Sequence, residues 1–266
     1  MKMKLTKKIV SLFLSIILLS SALVLVNPTK ETANAAEVPV QLYYANTTYS
    51  GSYYHTISGY IAIKNIAYAK IVNVKYNKGD GTWGTIPASY LKNNTSDGYE
   101  VWKFDSNNIE YFTGVTEFYI EYTVNGQTYT DKNNGSNYTV CQTGTYSYGD
   151  DGYTFGKQQV VVTSITKGNR IYNCETANVN VRVKGVATTN TTQKVTYSEN
   201  DYPWYTSSVS TKTQTYSDGS NGYVINLPLI NGYYTPAYLN LAACYTVDGV
   251  DNWDNNFGSN YSATIQ

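Results

Sequence analysis

The sequence predicts an all-β chain built from two immunoglobulin-like β-sandwich modules in tandem. Three observations carry that prediction. Short segments alternate apolar and polar residues with a period of two, as in Val179-Asn-Val-Arg-Val183 and Val72-Asn-Val-Lys-Tyr76. Asn-Gly and Asp-Gly pairs punctuate them, at Asn125-Gly126, Asp218-Gly219 and Asp248-Gly249. A block of sequence recurs at a fixed offset, which sets the number of modules.

In chain order the strand candidates are Gly59 to Ile63, Val72 to Tyr76, Tyr99 to Phe104, Glu117 to Val124, Gln159 to Ile165, Val179 to Lys184, Tyr223 to Leu227 and Tyr238 to Val247. Strand-forming Val, Ile, Thr and Tyr dominate, with 29 tyrosines against 6 Phe and 4 Trp. Helix-forming runs are scarce after the first segment, which argues against helix bundles and alternating α/β enzymes. The repeat is Tyr122-Thr-Val-Asn-Gly126, returning as Tyr245-Thr-Val-Asp-Gly249, and Asp131 to Tyr138, returning as Asp254 to Tyr261. Over 122–138, ten of 17 positions are identical to those 123 residues later. The expected organisation is a segment 1–36, a first module 38–141, a linker 142–156 rich in Gly, Thr, Tyr and Asp, and a second module 157–266.

Residues 1–36 have the pattern of a secretory signal peptide. Lys2, Lys4, Lys7 and Lys8 precede an apolar run from Ile9 to Val26, and Ala33-Asn-Ala35-Ala36 supplies small residues for cleavage. The rival reading is an uncleaved anchor, since the run approaches the length of a membrane span. Cleavage predicts a secreted protein with no membrane contact afterwards. The whole chain has 19 basic and 19 acidic residues. Five of the lysines and one glutamate lie in 1–36, so the remainder carries 14 and 18, a net charge of −4. Such a chain lacks the basic footprint of a nucleic-acid binder. Cys141, Cys174 and Cys244 allow one bridge and one free thiol, or three isolated thiols. No Cys/His spacing fits zinc, the block at Asp254 lacks the acidic pattern of a calcium loop, and no cofactor is expected.

Catalysis finds little support. Glu100, Glu110, Glu117, Glu121 and Glu175 fall in no recognisable motif for a glycosidase pair, and His55 is the single histidine. Glu117 and Glu121 fall on one face of a predicted strand, where surface charge is the simpler reading. Binding finds more. Trp83, Trp204 and Trp253 all stand in polar, turn-rich contexts, whereas Trp102, in Val101-Trp-Lys-Phe104, has the setting of a core residue. Exposed aromatic rings can lie on the flat C–H faces of sugars, with Asn, Asp, Lys or Glu reaching the hydroxyls. For any one such tryptophan, incidental exposure is the competing reading; matched positions in two modules weaken it.

The first module resembles carbohydrate-binding module family 21, the starch-binding domain of some fungal glucoamylases. The matching runs are Lys64 to Lys70, Val74-Lys-Tyr76 leading to Trp83, Tyr99 to Trp102, Glu117 to Tyr122, and Tyr129-Thr-Asp131 to Tyr138. The second module is similar through Trp204 and Trp253 to Asn256. The resemblance implies an immunoglobulin-like sandwich binding α-1,4-glucan, often at two sites. One implied site comprises Trp83 and Tyr119, with Asn134 and Asn137 nearby; where the family carries a further aromatic, Thr130 stands here. The other comprises Tyr68, Tyr90 and Tyr99, with Asn65, Lys70 and Glu100 as polar partners. In the second module the first type of site falls on Trp204 and Trp253, with Asn256 and Asn260. The position of Tyr119 there falls near Ala242 and that of Tyr68 on Thr188, with Tyr223 retained. The expectation is a secreted, monomeric, non-catalytic α-glucan binder whose first module keeps the tyrosine site and whose second keeps the tryptophan site. One alternative is an accessory subunit whose partner is a separate amylolytic enzyme. The other is a structural or adhesive sandwich pair binding another glycan or a protein.

Overall fold

The computed structural model describes residues 38–49, 54–107, 109–110, 115–141, 152–170, 174–229 and 237–266. The predicted signal segment 1–36 and residues 142–151 of the expected linker lie outside them. Residues 39–266 cluster as one compact unit.

The first sandwich is built from β1 (Val40–Tyr49), β2 (Tyr54–Ile63), β3 (Lys70–Asn77), β4 (Trp83–Asn93), β5 (Glu100–Asp105), β6 (Ile109–Glu110), β7 (Val115–Val124), β8 (Gln127–Asp131), β9 (Tyr138–Cys141) and β10 (Tyr153–Phe155). All pairings are antiparallel. One sheet runs β10-β1-β2-β5-β4 and the other β4-β3-β7-β8, with β9 also on β7. Strand β4 belongs to both. Trp83–Pro87 pair with β3, and Ala88–Asn93 pair with β5. Alternation then sorts the side chains. Val72, Val74, Phe118, Ile120 and Tyr122 turn inward against Leu42, Ile57, Ile61 and Phe104. Burying each such side chain stabilises the fold by about 1.5–3 kcal/mol before chain entropy is charged against it.

The second sandwich comprises β11 (Val160–Lys167), β12 (Thr176–Val183), β13 (Thr191–Glu199), β14 (Tyr205–Ser207), β15 (Ser210–Thr215), β16 (Asn221–Pro228), β17 (Ala237–Val247), β18 (Val250–Asp254) and β19 (Tyr261–Ile265). Its sheets run β11-β12-β16-β15 and β14-β13-β17-β18, with β19 also on β17. Its core is Val179, Val181, Val195, Tyr197, Ile225, Leu227, Leu241 and Tyr245 among others. The hairpins β7–β8 and β17–β18 turn on Asn125-Gly126 and Asp248-Gly249. All four residues have positive φ, which matches the right-handed twist of the flanking strands. Cys174 and Cys244 are free thiols.

The recurring block has a structural role. Asp131 Oδ2 accepts the Leu42 amide at 2.8 Å and the Tyr138 hydroxyl at 2.7 Å. Asp254 Oδ2 accepts the Val162 amide at 2.7 Å and the Tyr261 hydroxyl at 2.8 Å. In both sandwiches the first strand changes register just past that amide, between Leu42 and Tyr44 and between Val162 and Ser164. A bulge leaves a backbone donor without its ladder partner, and the carboxylate of the facing sheet takes it. The block is a clasp between sheets, as its turn-forming sequence suggests.

The two sandwiches touch directly. Tyr153–Phe155, which the sequence places in the linker, form β10 and pair with Tyr44–Asn46 of the first sandwich. The Tyr153 amide also donates to Asp218 Oδ2 of the second at 2.6 Å. That carboxylate holds buried Arg182 at 2.7 Å, and the guanidinium lies over the Tyr153 and Tyr216 rings. Elsewhere Phe257 enters a cluster of Tyr43, Ala62 and Val101, with ring centroids 4.9 Å from Tyr43 and 5.2 Å from Tyr60. Phe257 has φ +56, a left-handed conformation that costs a bulky residue about 1–2 kcal/mol. The corresponding residue of the first sandwich is Asn134, with φ +58 and an exposed side chain. Gly258 comes next with φ +87, and a Cβ there would stand 2.1 Å from Thr95 Oγ1. Asn255 donates to Ser96 Oγ at 2.8 Å, and Lys92 donates to the Asn256 carbonyl and to Ser259 Oγ.

Burial raises the Asp254 carboxyl to about 6 from an ordinary 3.8, against the amide and hydroxyl donors that lower it. The native state therefore holds this proton more tightly than the unfolded chain does. Its contribution to stability is complete below about pH 4 and is lost as the pH rises through about 6. In denaturant titrations, wild type should lose on the order of 2–3 kcal/mol relative to Asp254→Asn as the pH rises from 4 to 7.5. A gap that is constant across this range would disprove the assignment.

Candidate carbohydrate-binding site

Three groups of candidate residues can be placed on this frame. On the outer face of the β4-β3-β7-β8 sheet, Asn77 pairs with Trp83, Lys75 pairs with both Thr85 and Tyr119, and Glu121 pairs with Thr130. Period-two alternation sends these side chains away from the core. Trp83 is 42% exposed, and its ring meets that of Tyr119 edge-on, with centroids 5.2 Å apart. Lys132 Nζ lies over the Tyr119 ring at 4.6 Å. The Tyr119 hydroxyl donates to Glu121 at 3.3 Å, and burial together with Glu121 keeps its proton on. Asn134 is exposed, whereas Asn137 donates to Glu117 at 2.7 Å. The two aromatic rings thus form an L-shaped surface, edged by Lys132 and Glu121.

The tyrosine group sits where β2 ends and β5 begins. Lys70 donates to Asn65 Oδ1 at 2.8 Å and pairs with Glu100, both side chains being nearly buried. The other Glu100 oxygen accepts Trp102 Nε1 at 2.9 Å, and the Tyr122 hydroxyl holds the Lys64 carbonyl at 2.9 Å. Loop 64–69 is tied down at its base, and Tyr68 is fully exposed on it. Tyr90 is 51% exposed and meets Trp102 edge-on at 6.3 Å. Trp102, expected in the core, is half-buried with its ring packed against that core. Tyr99 precedes Glu100 and is half-buried. It packs on the Tyr43–Phe257 cluster, and Lys157 Nζ lies over its ring at 5.0 Å. Glu100 and Lys70 spend their polar atoms on each other, so they position the loop.

The second sandwich repeats the first arrangement with different residues. Lys75–Tyr119 and Glu121–Thr130 correspond in register to Thr196–Ala242 and Cys244–Trp253. Trp204 stands just before β14, whose first residue Tyr205 pairs with Tyr197. Trp204 and Trp253 are 51% and 45% exposed. Ala242 leaves the ground between them open. Lys194 Nζ lies 5.4 Å from the centre of the Trp253 ring and pairs with Asp251 at 2.9 Å. Cys244 is buried in the same row, and burial raises its thiol. Asn256 and Asn260 bond to one another across their turn, Asn256 Nδ2 donating to the Asn260 carbonyl at 3.0 Å. Asn256 also accepts from Lys92 of the first sandwich, so these two asparagines face the contact between sandwiches. Thr188 is bonded to Asp248 at 2.9 Å, and Tyr223 is packed against the second core. Sequence reasoning passed over Tyr238, which is 61% exposed on the outward-facing side of β17, the side that also carries Ala242. Its odd-even phase in the run Tyr238 to Val247 was the available signal.

Comparison with known proteins bears on the first sandwich. A family model described as carbohydrate/starch-binding module family 21 matches residues 34–141. Glucoamylase 1 of Rhizopus oryzae is 44% identical over 115 residues, which is 40% of this chain and 18% of that relative. The chain thus aligns with less than a fifth of that relative's length. The solved starch-binding domain of Rhizopus oryzae glucoamylase, in complex with β-cyclodextrin and maltoheptaose, is 39% identical. That match covers 40% of this chain and 96% of the domain, with a TM-score of 0.33. The carbohydrate-binding module of the muscle glycogen-targeting subunit of protein phosphatase-1 is 27% identical over 39% of this chain and 76% of its own, with a TM-score of 0.30.

The Lys70–Glu100 pair supplies a test of how the loop is held. Glu100→Ala strands a nearly buried ammonium and should cost about 3 kcal/mol in urea denaturation, whereas Glu100→Gln, which keeps one oxygen to accept from Lys70 and gives up the acceptor for Trp102 Nε1, should cost less. Equal, small losses would mean that the pair does not hold the loop.

Proposed function

Residues 34–141 belong to the carbohydrate/starch-binding module family 21, and from that membership we propose that the chain is a secreted, non-catalytic α-1,4-glucan binder working through both sandwiches. The observation that carries the reading is the outer face shared by Trp83 and Tyr119. Two aromatic rings, on β4 and β7 either side of β3, stand 5.2 Å apart, half-open to solvent, with a cation and a carboxylate at the edge. Glucose offers apolar C–H faces to such rings and hydroxyls to such polar groups, and the rings need no rearrangement to receive it. The second sandwich carries exposed Trp204 and Trp253, with Trp253 at the position of Thr130 and Ala242 at that of Tyr119, which supports a second binding face with a different set of aromatics.

Three of the five glutamates considered for a glycosidase are engaged structurally. Glu100 pairs with Lys70, Glu117 with Asn137 and Glu121 with Lys75. That supports binding without hydrolysis. The pattern of residues 1–36 supports export, and a separate amylolytic enzyme is the partner such a binder would assist. Starch and glycogen are polymers, so two faces on one body gain by engaging one substrate together.

Calorimetry of residues 37–266 with maltoheptaose, beside a cello-oligosaccharide of similar length, tests the reading. Binding is expected for the α-linked sugar alone. Trp83→Ala should remove one class of sites, and Trp204→Ala with Trp253→Ala another, each weakening its site about tenfold with the fold intact. No heat and no tryptophan fluorescence change with any α-glucan would end the proposal.

A further inference from the structure

Between the two sandwiches lies a cleft of about 350 Å³, of whose lining only Trp253 belongs to a predicted site. Trp253 and Asn252 of the second sandwich line it. Facing them are Tyr43 and Asp97 of the first, and Lys157 from the segment that joins the two. The volume falls in the range of small-ligand sites. We propose that this cleft is a composite subsite for α-glucan, in which a chain stacked on Trp253 continues into the seam and is held by groups from both sandwiches. The proposal rests on the α-glucan reading above.

Four features support it. The first is the aromatic platform. Lys194 lies over one face of the Trp253 ring, which directs a stacking ligand to the other face. The second is the chemistry of the walls. Asp97 accepts from the Tyr43 hydroxyl at 2.8 Å and stands 3.6 Å from Lys157, so charge is largely paired. Asn252 is anchored by its amide group to the Tyr245 and Val250 carbonyls, which leaves its side-chain oxygen as an acceptor. Paired charges and amides suit a neutral, hydroxyl-rich ligand, whose every hydroxyl both donates and accepts.

Rigidity is the third feature. The walls are fixed by Phe257 among the tyrosines, by Asn255 on Ser96 and by Lys92 on the Asn256 turn. A sugar entering the seam would not have to order it. The fourth is continuity. Trp253 belongs both to the outer face shared with Trp204 and to the cleft lining, so one ligand can run from the open face into the seam.

The test uses maltotriose and maltoheptaose with residues 37–266 carrying Trp83→Ala and Tyr119→Ala, which silences the first face. In this background the longer sugar should bind at least about fivefold more tightly than the shorter one. Adding Lys157→Ala and Asn252→Ala should abolish most of that preference while maltotriose affinity and the melting temperature stay nearly unchanged. Gln159→Trp, which narrows the cleft without removing those groups, should do the same. An undiminished preference in both variants would overturn the cleft and leave the α-glucan reading standing. If wild type binds neither sugar, the α-glucan reading falls and the cleft falls with it.

Discussion

A carboxylate at a strand bulge organises each half of this protein. Asp131 and Asp254 each reach from the end of a hairpin to an amide on the first strand of the opposing sheet, and each also holds a tyrosine hydroxyl. Removing either would leave a backbone donor and a hydroxyl without partners inside a sandwich, and each such loss costs about 1–3 kcal/mol. The clasp also sets the path of the chain beyond it. The turns at 132–137 and 255–260 are held in a left-handed course by a repeated hydrogen bond, from Asn133 to the Asn137 carbonyl and from Asn256 to the Asn260 carbonyl. From that common turn the halves diverge. One offers Asn134 to solvent, and the other drives Phe257 into its neighbour.

The binding surfaces depend on the same constraint. Hairpins β7–β8 and β17–β18 carry Tyr119 and Trp253 outward because their inward positions are committed to the core. A slip of one residue in either hairpin would bury the aromatic platform and expose Ile120 or Tyr245. The clasping aspartate at the end of the hairpin, together with the two-residue Asn-Gly or Asp-Gly turn, makes such a slip costly.

Much of this was legible in the sequence. The hairpin turns, the strands around Val74, Glu117, Val181 and Tyr238, and the repeated block all announce themselves by period and turn chemistry. Strand β4 does not, because Pro87 marks the place where it leaves one sheet for the other. Strand β13 is also obscured, since two of its inward positions hold Gln193 and Glu199. The aromatic candidates Trp83, Tyr119, Trp204 and Trp253 are where alternation puts them. Tyr99 and Asn256 are half-buried, each beside a contact between distant residues. No local pattern distinguishes Phe257 as a peg from Asn134 as a surface residue. Their neighbours in sequence are nearly the same, and only the tertiary partner differs.

Tyr153–Phe155 lie after the connecting segment in sequence, yet they complete a sheet of the first sandwich. The polypeptide is therefore interlaced. A protease that cut anywhere between residues 141 and 152 would sever the covalent connection while leaving a strand of the downstream fragment built into the upstream one. Phe257, Arg182 and Lys92 would still join the pieces. Such a nicked molecule would persist as one particle with both faces in place.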